Sequence, residues 1–218
     1  MFRLDSSRIY RASALEALPW LGHGFGTRES QWPPAATVST LRQIHSGCVL
    51  MADRSGDLGE GDALISNRPG ITLAIRTADC LPILIADSRN RAVAAVHAGW
   101  RGTVAGITSN AIQSMAENFG SKPEDLLIAI GPGIGACCFE VGPEVAGQFS
   151  PFFPERDDLS GRAKIDLVET TYRQLCRNGI GVGQMFHFGL CSSCLPDKFY
   201  SYRRDRDSGR MISTIGVR

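Results

Sequence analysis

The chain has 218 residues, 43% of them hydrophobic and 21% charged, and a formal net charge of +1. That length suits one sizeable domain or two small ones, and the balanced charge excludes a global basic field of the kind that gathers nucleic acid. The opening Met1-Phe-Arg-Leu-Asp5 lacks the apolar core of a signal peptide, and no apolar run approaches the roughly 20 residues of a membrane span, so a soluble, cytoplasmic protein is expected.

Residues 1–20 predict a strand at Ile9-Tyr10 and a turn of helix near Leu15–Leu18. His23-Gly-Phe-Gly-Thr-Arg28 is glycine-spaced, which suits a loop leaving a strand or a backbone that approaches a ligand, with Arg28 as an anion contact. Residues 29–36 are loop by composition. From Val38 to Val49 a strand ends in a turn at Gln43-Ile-His45-Ser-Gly47, and Cys48–Met51 forms the next strand. Asp53 to Asp62 is acidic and Gly-rich, hence expected as exposed loop; its spacing does not fit a calcium-binding EF-hand. Ala63–Ile65 and Ile71–Ile75 are strand-like, with Asn67–Gly70 between them.

Two apolar runs then flank the polar turn Ser88-Arg-Asn90, which predicts a β-hairpin. Pro82 sets the start of its first strand near Leu81, or places it at a sheet edge. If the turn centres between Ser88 and Arg89, Cys80 faces His97 with Cβ atoms roughly 4.5–5.5 Å apart. A turn shifted by one position puts Gly99 opposite Cys80 instead.

Val104, Ile107, Ala111, Ile112 and Met115 recur at helical spacing over Thr103–Phe119, and Gly120-Ser-Lys-Pro123 ends that helix. Gly99 to Thr103 thus lies at a helix N-terminus beside Arg101, a seat for phosphate or an ordinary cap. Leu126–Ile130 is a buried-type strand, followed by Gly131-Pro-Gly133-Ile-Gly135, which matches neither a Walker loop nor a dinucleotide fingerprint. Pro143–Phe149 predicts a short helix, 150–163 a long loop, and Asp166–Asn178 a helix capped by Gly179. Cys191-x-x-Cys194 is half of a zinc ribbon or a redox pair; the adjacent Cys137-Cys138 lack the spacing of a second half. Arg203, Arg204, Arg206 and Arg210 read as a solvated surface. Strands dominate early and helices are inserted later, so the expected fold is a single α+β (mixed α/β) domain over residues 1–218.

Seven cysteines, an odd number, point to free thiols or ligands in a reducing compartment. Histidines number four: His23, His45, His97 and His187. A set of His45, Cys80 and His97 leaves one tetrahedral position open, as catalytic zinc sites do, and zinc there lowers the pKa of water toward about 7.

Several blocks occur in order: Gln43-Ile-His45, Asp62-Ala-Leu-Ile65, Arg76-Thr-Ala-Asp-Cys80-Leu-Pro82, Val96-His-Ala-Gly-Trp-Arg-Gly-Thr103, Ile130–Gly135 through Cys138–Val141, Phe199–Arg204 and Gly209–Met211. Together they closely resemble the laccase-domain family, bacterial relatives of the macrophage protein FAMIN, over nearly the whole chain from His23 to Met211. The resemblance implies a mixed α/β fold similar to the catalytic domain of cytotoxic necrotising factor. It implies zinc held by His45, Cys80 and His97. It also implies phosphorolysis of adenosine, inosine, guanosine or methylthioadenosine, with hydrolytic deamination of adenosine. Purine nucleoside and phosphate are then the partners, phosphate being steadied by Arg28, Arg76 or Arg101, with Phe25 or Trp100 as candidates to stack on the base. One departure is Gly133, where the family usually carries Cys.

Four other readings compete. Some members of the family are linked to editing of peptidoglycan precursors. A copper-binding polyphenol oxidoreductase is the activity in the family's older name, but four histidines cannot build a multicopper cluster, although one copper could occupy this site. A metal-free Cys80–His97 amidase needs no His45. A partner-binding module needs no chemistry at all.

Overall fold

The computed structural model describes residues 1–218 except Trp32, Asp207 and Ser208, and the side chain of Ala35. Trp32 falls in the segment 29–36 expected to be loop, so that part of the expectation lies outside the described residues.

The strands in chain order are β1 (Phe2–Leu4), β2 (Ile9–Ala12), β3 (Leu21–Gly26), β4 (Ser39–Arg42), β5 (Val49–Met51), β6 (Gly56–Glu60), β7 (Ala63–Ser66), β8 (Thr72–Thr77), β9 (Leu81–Asp87), β10 (Val93–Ala98), β11 (Leu126–Ile130), β12 (Glu140–Val141), β13 (Ala163–Lys164), β14 (Met185–His187) and β15 (Met211–Val217). The helices are α1 (Ser13–Glu16), α2 (Trp100–Val104), α3 (Ile107–Phe119), α4 (Pro143–Ala146), α5 (Leu167–Arg177) and α6 (Tyr202–Asp205). One sheet has seven strands in the order β1-β2-β3-β15-β8-β4-β6, and a second has six in the order β14-β11-β9-β10-β7-β5; β12 and β13 form a small separate pair. Both larger sheets mix parallel and antiparallel neighbours, which makes the fold mixed α+β.

Every residue of β9 and β10 is buried, because the six-stranded sheet is covered on both faces. That is why these strands read as unbroken apolar runs rather than alternating ones. Leu84, Ala86, Val93 and Ala95 face the other sheet, packing with Leu73, Ile75 and Ile215. Ile83, Ile85, Ala94 and Val96 point the opposite way, against Ile107, Ala111 and Met115 of α3 and Leu175 of α5. The period-2 alternation of a strand thus feeds two cores at once. Pro82 sits within a central strand, with its carbonyl accepting from the amide of Gly131, so the edge placement does not hold while the start at Leu81 does.

The Asp53–Asp62 stretch differs from expectation. Residues 56–60 form β6, and Asp62 is completely buried. His23–Gly26 belongs to strand β3, not to a loop; His23 is buried and accepts a hydrogen bond from the amide of Ala12 at Nε2. The helix expected from Thr103 to Phe119 is broken into α2 and α3 at Gly106, whose φ of +75° suits glycine. Helix α5 is as expected, with the Asp166 side chain capping the amide of Glu169 at 2.9 Å. Among the described residues no helix is long and apolar enough to cross a membrane.

Candidate active site

The β9–β10 hairpin pairs Ala86 with Val93 and Leu81 with Ala98. Its centre therefore lies between Arg89 and Asn90, one position later than the register that faces Cys80 with His97. Pro82 takes the place opposite His97, and continuing the register past Leu81–Ala98 sets Gly99 against Cys80. The absence of a side chain there matters: a Cβ on Gly99 would stand 2.8 Å from Sγ of Cys80 and 2.9 Å from Cδ2 of His45. The thiol and the imidazole occupy the space the glycine leaves.

His45 arrives from the loop after β4, with a positive φ of 60° that a non-glycine residue adopts only when its surroundings impose it. Three contacts do so. The Gln43 side chain donates to the carbonyl of Arg76 at 2.7 Å and accepts from its amide at 2.8 Å. Asn110 donates to the carbonyl of Gly47 at 2.8 Å. The buried Asp62 carboxylate accepts from the backbone amides of Ile44, His45 and Ser46 and from the Ser46 hydroxyl. Asp62 also meets Nδ1 of His97 at 2.8 Å, which leaves Nε2 of His97 as the nitrogen free to act.

Cys80 follows Asp79, a second residue with positive φ, 83°. Asp79 is buried and its carboxylate accepts from Ser192 Oγ at 2.6 Å, Ser201 Oγ at 3.0 Å and the Arg203 amide at 2.6 Å. The C-terminal segment is thereby tied to the backbone that presents the thiol. One donor atom from each of His45, Cys80 and His97 lies within 4.8 Å of the others, and Cys80 Sγ is 3.9 Å from His45 Nε2. A tetrahedral zinc with its usual bond lengths separates a sulfur from a nitrogen ligand by roughly 3.5 Å, so the three residues fit such an ion with small adjustment.

The electrostatics agree with that chemistry. Burial would raise the Asp62 carboxyl, but hydrogen bonds from His97 and Ser46 outweigh it and bring its pKa down to about 2. Burial would lower His97, yet Asp62 and the Cys80 sulfur raise it to about 9. Burial would raise the Cys80 thiol, and the two imidazoles bring it down to about 7. A carboxylate behind a histidine that faces a cation is the usual device for fixing tautomer and ring orientation.

These residues open into a cleft of about 880 Å³. Arg76 and Arg101 line it, with the Arg101 guanidinium 4.4 Å over the Trp100 ring, itself part of the wall. Arg28 is not among its lining residues; its guanidinium donates to the carbonyl of Pro196 and lies over the Tyr200 ring. Phe25 is fully buried between the sheets, away from any stacking position. Arg203, Arg206 and Arg210, expected as solvated surface, also line the cleft. A Cβ on Gly133 would stand 2.5 Å from Leu81 Cδ2 and 3.0 Å from the Asp79 carbonyl, so a cysteine at this position requires the Leu81 side chain to move. Asp62 and Asp79 were not identifiable as site residues from sequence. Each lies inside a block quoted for the family resemblance, Asp62 opening Asp-Ala-Leu-Ile and Asp79 preceding Cys80, but no sequence signal assigned either a role.

Residues 27–218 match the family model described as "Multi-copper polyphenol oxidoreductase laccase". The chain belongs to that family. This chain is 37% identical to a protein from Deinococcus radiodurans named purine nucleoside phosphorylase, over 95% of this chain and 87% of that one. A protein of the same name from Bacteroides thetaiotaomicron is 41% identical over 72% of this chain and 60% of its own length. The crystal structure of the hypothetical protein YfiH from Bacillus licheniformis is similar to this chain with a TM-score of 0.90 at 27% identity, covering 100% of this chain and 99% of that one.

Proposed function

We propose that the chain is a zinc-dependent purine nucleoside phosphorylase, acting on adenosine, inosine, guanosine and methylthioadenosine, that also deaminates adenosine. The observation that carries the reading is the convergence of His45, Cys80 and His97 within 4.8 Å in a cleft lined by arginines. The names of the Deinococcus and Bacteroides relatives support the nucleoside and phosphate as substrates.

In this reading His45, Cys80 and His97 hold the ion, which when bound supplies Lewis acidity for a phosphate or water oxygen. Asp62 keeps His97 in the tautomer that presents Nε2. Arg76 and Arg101 neutralise the phosphate, and Trp100 offers an aromatic wall for the purine. In phosphorolysis a phosphate oxygen bonds to C1′ of the ribose as the C1′–N9 bond breaks. The electron pair leaves on the purine, which takes up a proton and departs as free base. In deamination water adds at C6 of adenine and ammonia leaves.

Incubation with adenosine and phosphate, followed by chromatography, tests both arms. Adenine with ribose 1-phosphate is the expected product of phosphorolysis, and inosine that of deamination. Neither product from a zinc-loaded chain would overturn the reading and favour a cell-wall precursor as substrate. Metal analysis after purification without added copper is expected to find zinc; copper would favour the oxidoreductase.

Donor atoms of Cys80 and His97 within 4.8 Å of each other, with a thiol pKa near 7, also suit a metal-free Cys80–His97 thiol amidase. His45→Ala separates the two: a zinc enzyme loses activity, whereas a Cys80–His97 dyad keeps it.

A further inference from the structure

Strands β11 and β14 are parallel neighbours, pairing Ile130 with His187. Parallel strands release their following loops at the same end of the sheet, so segments 131–139 and 188–194 run side by side. An isolated bridge pairs Gly133 with Cys191, and the Ser192 amide donates to the Gly133 carbonyl at 2.8 Å. A turn in which the amides of Cys138 and Phe139 both donate to the Gly135 carbonyl at 3.0 Å then brings Cys137 and Cys138 toward the other loop.

The result is a cluster absent from any local motif. One sulfur from each of Cys137, Cys138, Cys191 and Cys194 lies within 4.8 Å of the others. Cys194 Sγ is 3.6 Å from Cys137 and 3.4 Å from Cys138. Two near-equal neighbours give Cys194 no single disulfide partner, and all four are free thiols. A tetrahedral ion with four sulfur ligands holds them roughly 3.8 Å apart. Gly135 donates its amide to Cys191 Sγ at 3.2 Å, the kind of support that thiolate ligands receive from a backbone. A Cβ on Gly135 would stand 3.3 Å from Cys137 Sγ and 3.6 Å from Cys191 Sγ, so that glycine lets the loop close over the sulfurs.

We propose that Cys137, Cys138, Cys191 and Cys194 form a tetrathiolate site for a Zn²⁺ ion, separate from the His45–Cys80–His97 site. The four thiols give up four protons and no redox partner is involved. With all four positions taken by protein the site is closed, hence structural. Soft thiolates select zinc over hard cations. Its place in the fold gives it a task. Ile134 and Phe139, on the cysteine-bearing loop, line the cleft. The Ser192 hydroxyl supports Asp79 behind Cys80. Arg203, also in the cleft wall, donates to the carbonyls of Cys138 at 3.1 Å and Glu140 at 2.8 Å. The ion clamps the two loops that hold these groups.

The test needs no catalysis. His45→Ala/Cys80→Ser/His97→Ala removes the first site in the full chain, and the reduced, metal-free variant is titrated anaerobically with Zn²⁺. Binding of about one ion with four sulfur neighbours at about 2.3 Å by X-ray absorption is expected. The four cysteines should resist alkylation until a chelator is added. Adding Cys194→Ser should abolish the four-sulfur signature. Should that variant not fold, the wild-type chain still decides: the alkylation map reads each cysteine directly. No zinc uptake by the reduced chain overturns the proposal. So does a disulfide among the four, seen as a loss of two hydrogens by mass spectrometry, in protein purified anaerobically with zinc.

Discussion

Asp62 and His97 meet at 2.8 Å with both side chains sealed from solvent. Because the same carboxylate also gathers the amides of residues 44–46, one anion sets the position of both imidazoles. Asp62→Ala is expected to weaken zinc binding by about 10- to 100-fold and to cost about 3–5 kcal/mol of stability by stranding buried donors. Zinc titration and chemical denaturation read the two effects. Unchanged affinity in a folded variant would show that Asp62 does not orient His97 for a cation.

His97 is raised from 6.5 to about 9, so its contribution to the metal-free fold is complete below pH 6.5 and lost as pH rises through 9. Cys80 is lowered from 9.0 to about 7, so its contribution is present above pH 9 and lost as pH falls through 7. The thiolate–imidazolium pair of the metal-free chain therefore helps most between pH 7 and 9. Asp62, lowered from 3.8 to about 2, contributes above pH 3.8 and is lost as pH falls through 2. Zinc must displace the His97 proton, so its affinity should tighten as pH rises from 6 to 9. Calorimetry in two buffers of different ionisation enthalpy counts the protons released.

Gly99→Ala places a methyl 2.8 Å from the Cys80 sulfur and 2.9 Å from the His45 ring. The donors must spread, so at least a roughly tenfold loss of zinc affinity is expected, as for other disturbances around a metal site. The fold should survive, since the position lies at the end of a hairpin rather than in either core. Zinc titration beside a thermal melt makes the comparison.

Arg76→Ala and Arg101→Ala each remove a cation from the cleft wall. The KM for phosphate should rise roughly 10- to 100-fold for a lost charge-assisted contact, with a smaller change in the KM for nucleoside. Arg28→Ala should leave phosphate kinetics alone, because that guanidinium is engaged with Pro196 and Tyr200. An effect of Arg28→Ala as large as the other two would move the phosphate seat.

Much of the scaffold was legible, since β9, β10, β11 and α5 announce themselves by apolar runs and caps. The hairpin register was not, because Ser88-Arg-Asn90 admits two turn centres and period-2 strands do not choose between them. The gathering of His45, Cys80 and His97 was foreseen from the family blocks, but its keystone was hidden. Asp62 follows a run of Asp, Gly and Glu that composition assigns to solvent, and it is buried where the 44–46 loop and His97 close on its carboxylate. The four-cysteine cluster was invisible for a related reason. Spacing rules look for ligands close in sequence, whereas here two loops more than 50 residues apart are brought together by neighbouring parallel strands.

The pairing of a thiol with a bare backbone position offers a diagnostic for distant members of the family. Any residue heavier than glycine at the place of Gly99 would intrude where the sulfur and the imidazole sit. A chain that keeps the histidines and the cysteine but carries such a residue is expected to have retired its chemistry while retaining its shape. A single letter in the sequence would then sort working relatives from vestigial ones.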